Sequence, residues 1–237
     1  MKKYELTAEF IEKWGKKLFR IKALISFGSV EAGELGGYVE KEDNLAQDGN
    51  AWVYGNARVC GNAWVYGNAR VYGDAEVYGN ARVYGNARVY GDAEVYGNAE
   101  VYGNARVYGD AEVYGNARVS GDARVCGNAE VCGNAEVYGN ARVSGDARVS
   151  GDADYLLIGR IGSRFSFTTF FKNKDKGITV SCGCFLGTIA EFRAKVTDTH
   201  GNNKHAKMYN LAADMAELQI LGEEHFDKLN TNKSEPF

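Results

Sequence analysis

Between about Gly49 and Asp154 the chain repeats one six-residue pattern, Val-Tyr-Gly-Asn-Ala-Arg, with small variations. Valine stands at 53, 59, 65 and every sixth position to Val149. Gly-Asn or Gly-Asp begins two residues after each valine, and alanine stands at the fourth. In Ala57-Arg58-Val59-Cys60-Gly61-Asn62, an extended backbone points Ala57 and Val59 to one face and Arg58 and Cys60 to the other. Gly61-Asn62 turns the corner, since both residues tolerate positive φ. Six residues are too few for a hairpin with real strands, and no helix has this period. A fixed short period points to a solenoid, with one flat side per hexad. Three sides close a triangle, so a lap takes eighteen residues, with valine in the interior and alanine beside the corner.

The pattern Val-x-x-x-Ala-x resembles the hexapeptide repeat of the left-handed parallel β-helix superfamily, which includes acyltransferases and gamma-class carbonic anhydrases. The resemblance spans 47–154, or eighteen hexads in six laps, about 29 Å long at strand spacing. Left-handed winding is implied by the resemblance alone. The expected fold class is mainly β: a single-stranded left-handed parallel β-helix over 47–154, an N-terminal helix/strand cap over 1–46 and a small C-terminal α+β capping module over 155–237. Gly36-Gly37-Tyr38-Val39 with Leu45-Ala46-Gln47-Asp48-Gly49 is also similar to the lead-in of uncharacterised bacterial and phage repeat proteins labelled transferase-like by fold.

An eighteen-residue pitch sorts the outward positions into columns. The first side carries Trp52, Arg70, Arg88, Arg106, Arg124 and Arg142. The second carries Arg58, Glu76, Glu94, Glu112, Glu130 and Arg148, and the third Trp64, Arg82, Glu100, Arg118, Glu136 and Asp154. The corner between the first two holds Asn56, Asp74, Asp92, Asp110, Asn128 and Asp146. Tyrosines run in parallel columns, with Tyr54, Tyr72, Tyr90 and Tyr108 on the arginine side. Stacked rings and β-compatible side chains stabilise neighbouring strands. Stacked like charges repel by a few tenths to about 1 kcal/mol per pair. The arginine row therefore reads either as a duplicated lap neutralised by the aspartate corner, or as a preorganised face for anions. Arginine contacts carboxylate and phosphate bidentately and stacks on aromatics.

Outside the repeat, Phe10, Ile11, Trp14 and Leu18 recur at helical spacing and predict a helix over 4–19, followed by a strand from Arg20 to Phe27. Beyond Asp154, strands are expected at Tyr155–Ile158, Phe165–Phe171 and Ile178–Cys182. Helices are expected at Ile189–Val196 and Tyr209–Leu221, the second with Leu211, Met215, Leu218 and Leu221 on one face. The tail after His225 reads as frayed.

Composition narrows the function classes. Net charge is −3, and 50–154 holds nine Arg, no Lys and thirteen Asp plus Glu, which argues against general nucleic-acid binding. No apolar run reaches membrane-spanning length, and the N-terminus lacks a signal-peptide core. Five cysteines without a disulfide framework point to a reduced, cytoplasmic setting; Cys60, Cys126 and Cys132 replace outward tyrosines.

Candidate chemistry lies beyond the repeat. Cys182-Gly183-Cys184 precedes Thr188 and Glu191, with His200 and His205 further on, and Ser163-Arg164 offers an anion contact. The competing reading places both cysteines around a core-facing glycine turn and the histidines in a polar loop. A lone Cys-x-Cys is a weak metal signal, so no metal is expected. The resemblance implies, for the acyltransferases, a histidine base beside a coenzyme A channel and, for the carbonic anhydrases, three zinc-binding histidines. Here all three histidines lie beyond residue 199 and the repeat has none. The expectation is a rod-like scaffold or binding protein without catalysis or cofactor. It self-associates as a trimer or dimer through its flat sides and presents Arg70, Arg88, Arg106, Arg124 and Arg142 with Tyr72, Tyr90 and Tyr108 to an acidic protein or phosphorylated ligand. A phage-type sequestering inhibitor fits the resemblance. The alternative is an acyltransferase-like enzyme, using coenzyme A between the last coil and the C-terminal module.

Overall fold

The computed structural model describes residues 2–224; the tail read as frayed lies outside them. From Trp52 to Val149 most hexads form one short strand, each parallel to the strand eighteen residues away. Arg88, Val89, Tyr90 and Gly91 stand opposite Arg106, Val107, Tyr108 and Gly109. The predicted eighteen-residue lap is the observed one, in a parallel β-solenoid of about six turns. Backbone hydrogen bonds join the laps along the whole hexad: the Asn80 amide donates to the Gly97 carbonyl at 2.7 Å, Arg82 to Ala99 at 2.9 Å and Tyr84 to Val101 at 3.0 Å. The valines from Val53 to Val149 are fully buried, and the alanines from Ala51 to Ala147 are at most 1% exposed. The strands of the arginine side are the longest, running four residues at Arg70–Gly73, Arg88–Gly91, Arg106–Gly109 and Arg124–Gly127.

The N-terminus departs from the helix expected over 4–19. It forms a hairpin of β1 (Tyr4–Lys13) and β2 (Lys16–Ala23). Phe10 stands opposite Phe19 and Ile11 opposite Leu18. The helical spacing was coincidental, and the deciding signal was Trp14-Gly15. Both residues have positive φ, 52° and 70°, as a two-residue hairpin loop requires. The solenoid supplies the other reason: its first lap presents an unpaired edge, which strands can extend and a helix cannot. β3 (Leu35–Val39) pairs antiparallel with β2 and parallel with Arg58-Val59. Trp52 heads the arginine column in sequence but is buried, with Tyr4 edge-on at 6.0 Å and Phe27 at 5.4 Å. The Lys3 ammonium closes this end, donating to the Ala51 carbonyl at 3.0 Å and the Asp48 carbonyl at 3.2 Å. Burial pushes its pKa down to about 8.

At the other end a four-stranded antiparallel sheet follows chain order through Tyr155–Ile161, Ser166–Lys172, Ile178–Cys182 and Phe185–Thr188. The last of these strands was not expected. Phe171 joins the valine core of the solenoid, while Phe170, on the opposite face, packs under the helices. The sheet is thus the end cap, fastened by the Arg142 amide donating to Thr169 Oγ1 at 3.0 Å and the Lys174 amide to the Asp146 carbonyl at 3.1 Å. Helices α1 (Ile189–His200) and α2 (Lys204–Leu221) cover the sheet. The buried face of α2 is Ala206, Tyr209, Ala212, Ala213, Ala216 and Ile220, with the buried Glu217 beside them paired to Arg193 at 2.7 Å. Leu211, Met215 and Leu218, grouped as one apolar face, point outward, and Leu221 is half-buried. Small alanines let the helix lie close to the sheet, which leaves the long apolar side chains on the outside.

Corner glycines stack on one another. A Cβ at Gly91, where φ is +76°, would meet the Gly109 backbone nitrogen at 3.0 Å and its oxygen at 3.2 Å. Gly91→Ala is expected to cost about 1–3 kcal/mol in denaturant unfolding. Gly151→Ala, on open backbone with nothing within 4 Å, is expected to be nearly neutral. Equal effects of the two substitutions would contradict the stacked corner.

Candidate functional site

The arginine side is built as the columns require. Arg70, Arg88, Arg106, Arg124 and Arg142 stand in register on successive strands. Beside them Tyr72 stacks on Tyr90 at 4.7 Å and 3° between planes, and Tyr90 on Tyr108 at 4.9 Å and 2°. The column ends there because Cys126 takes the next place. Burial raises the Tyr72 and Tyr108 phenols above their usual range, so both stay neutral beside the guanidinium groups.

The aspartate corner does not neutralise this row. Among the described residues no arginine of the ladder has a carboxylate within 4.0 Å, whereas Arg58, Arg82, Arg118 and Arg148 each do. Asp74 lies 3.8 Å from Arg58, on the other side of the corner. The strand carries arginine at its start and aspartate four residues on, too far along an extended chain to meet. Among the described residues Arg142 alone of the ladder finds a protein partner, its Nη1 donating to the Gly183 carbonyl at 3.4 Å.

A recess flanks each end of the ladder. One, about 340 Å³, is formed by Ser29, Tyr54, Arg70, Tyr72 and Arg88. The other, about 380 Å³, lies where the last laps meet the C-terminal sheet and includes Arg124, Arg142, Ser166, Thr169 and Ser181. Neither contains a histidine or a cysteine.

The glutamate side is organised differently. Tyr78 donates to Glu94 at 2.7 Å and Tyr96 to Glu112 at 2.9 Å, each phenol reaching the carboxylate of the next lap. The end caps neutralise the ends of this column. Lys13 and Arg58 reach the buried Glu76, and Lys174 lies 3.0 Å from Glu130. Asp92, Glu94, Asp110 and Glu112 between them have no cation within 4.0 Å among the described residues. The other two corners carry amide ladders that went unnoticed in the sequence. Asn80 donates to Asn98 at 3.0 Å and Asn98 to Asn116 at 3.0 Å. The same eighteen-residue count, applied to every corner, would have found them.

The weaker candidates separate. Thr188 and Glu191 form the capping box of α1 and have no role beside a thiol. Cys184 is exposed. Cys60, Cys126 and Cys132 are buried although their positions face outward, Cys60 because Leu18 and Tyr38 cover it. His200 ends α1 and His205 lies in the first turn of α2, their rings 5.8 Å apart. Cys182, His200, Ser163 and Arg164 do share one small cavity.

A family model described as the YdcK β-solenoid repeat matches residues 51–67, 63–79, 75–91, 81–97, 111–127 and 141–153. The match falls on the stacked laps and agrees with a β-solenoid. None of the curated proteins matches the chain.

The stacked phenols generate a pH prediction. Burial, then Glu100, pushes Tyr84 from 10.0 up to about 12. Burial together with Glu94 and Glu112 pushes Tyr78 and Tyr96 up as well. A raised phenol stabilises the fold while protonated. Its contribution is full below pH 10.0 and is lost as pH climbs through about 12. Tyrosinate absorbance of the native protein should therefore lag that of the unfolded chain, with Tyr78, Tyr84 and Tyr96 still neutral past about pH 11. Titration of all the tyrosines near the ordinary value with the fold intact would contradict this.

Proposed function

We propose that the protein is a non-catalytic, rod-like scaffold whose arginine–tyrosine side binds an acidic protein or a phosphorylated ligand. The supporting observation is the row of five in-register arginines without a carboxylate partner among the described residues. Stacked like charges cost stability unless something anionic offsets them. Guanidinium groups held on rigid strands, beside neutral phenols, lose little freedom on meeting carboxylates or phosphates of matching spacing. The hexapeptide resemblance carries the rival, an acyltransferase-like enzyme holding coenzyme A at the last coil. The junction recess has two arginines, hydroxyls and one carboxylate, Asp122, but no histidine or cysteine among the described residues, which favours binding there.

The double variant Arg88→Glu/Arg106→Glu is expected to lose at least roughly tenfold affinity for a fluorescent oligoglutamate or polyphosphate probe. Its circular dichroism and melting should remain close to wild type. Unchanged capture of both probes would discard the reading.

Self-association has its own observation. Met208, Leu211, Met215 and Leu218 line the outer face of α2, between 40% and 64% exposed. They are spaced three, four and three residues apart, the seam one helix offers another. Pairing of two copies along α2 would cover this stripe and leave the arginine side open. Light scattering is expected to give a multiple of 25.9 kDa, and Met215→Glu to return the mass to that of one chain. A wild-type monomer at micromolar concentration would rule the seam out.

A further inference from the structure

The cavity in the C-terminal module holds about 210 Å³ and adjoins the junction recess, with Ser166 and Gly183 on the wall of both. Its inner wall is apolar and largely aromatic. Phe192 is buried, with Phe185 tilted against it at 5.7 Å and Tyr209 edge-on at 5.6 Å. The His200 ring lies nearly parallel to Tyr209 at 5.8 Å. Gly162 has no side chain because a methyl there would overlap the Tyr209 hydroxyl. The tight turn Gly162–Phe165 thereby keeps Arg164 at the rim.

The rim has the opposite character. Arg164, Lys195 and His200 line the opening, and among the described residues no aspartate or glutamate lines the cavity. Lys195 shares its charge with Asp198 outside, at 3.0 Å. Arg164 has no carboxylate within 4.0 Å among the described residues. The Cys182 thiol faces the cavity and accepts from Thr168 Oγ1 at 3.2 Å. Burial, with Cys182 beside it, pushes the Tyr209 phenol up to about 12, so Tyr209 offers a neutral donor rather than a competing anion.

We infer that this cavity is a binding site for a small organic anion with a flat apolar body, an aryl phosphate or aryl carboxylate. The ring would lie against Phe192 and Tyr209, and the anionic group would meet Arg164 at the rim. Neither element suffices alone. A bare anion leaves the aromatic wall wet, and a neutral ring leaves the unpaired guanidinium without its ion. A few convergent polar groups over an apolar wall are the usual make-up of a small-molecule site.

Cys182 supplies the readout, because a ligand in the cavity covers it while the exposed Cys184 serves as internal control. The full chain is treated with iodoacetamide, and modification at Cys182 and Cys184, which share one peptide, is followed separately by fragment-ion mass spectrometry. Phenyl phosphate and benzoate, at about ten times their Kd, are expected to slow Cys182 modification about tenfold and leave Cys184 unchanged. Arg164→Ala should abolish the protection. Thr199→Trp, which blocks the mouth from an exposed position, should slow modification without any ligand. Equal protection by benzyl alcohol would overturn the anionic half of the assignment, and equal protection by inorganic phosphate the aromatic half. No protection by either aryl anion, with wild-type circular dichroism retained, would overturn the site. The outcome is independent of Arg88→Glu/Arg106→Glu, since neither residue lines this cavity or the adjoining recess.

Discussion

Each lap is tied to the next by backbone hydrogen bonds that recur with the same donor and acceptor types, seventeen residues apart in sequence and directly opposed in space. Every other feature of the rod depends on that repetition. It places valine on valine in the interior, glycine on glycine at the corners and like side chain on like side chain outside. Interior stacking is favourable at every step, since each valine is removed from water at a gain of roughly 1.5–3 kcal/mol. Outside, the same repetition favours tyrosine and asparagine, which stack or form amide ladders. It penalises arginine and the carboxylates, which repel.

The ends show what such a rod requires. A lap has no partner beyond the first or the last, and both its apolar interior and its backbone edge need cover. The N-terminal hairpin and β3 supply strands to one edge, while Tyr4 and Phe27 sit over Trp52. The C-terminal sheet supplies Phe171 and Tyr155 to the other end of the core. Each cap also brings a lysine to an end of the glutamate column, Lys13 to Glu76 and Lys174 to Glu130. Among the described residues the arginine column receives no such compensation. Its charge is left to solvent or to a partner, and this asymmetry between two sides of one rod is the physical ground for reading the arginine side as a binding face.

Legibility in the sequence followed the strength of the repeat. Between Trp52 and Val149 one count of eighteen gave lap, register, core and columns, because nothing competes with a pattern restated every hexad. The hairpin was missed because Phe10, Ile11, Trp14 and Leu18 fit a helical period, while the deciding features were Trp14-Gly15 and an open sheet edge distant in sequence. On α2 the longest apolar residues marked the exposed face and alanine marked the buried one, the reverse of simple hydrophobic weighting. The arginine columns could be counted, but whether aspartate reached them depended on which way the corner faced. The cavity around Cys182 and Arg164 joins a hairpin loop, a strand end and two helices, so no local pattern announced it.

The central claim is that residues eighteen apart stand one above another on a single straight side. Nitroxide labels at positions 70 and 142, in a chain freed of its native cysteines, test it by pulsed electron paramagnetic resonance. Four lap spacings predict backbone points about 19 Å apart, with a narrow distribution because both labels leave the same face. A broad distribution, or a mean that fits labels on different sides of the rod, would contradict the eighteen-residue lap and remove the arginine ladder with it.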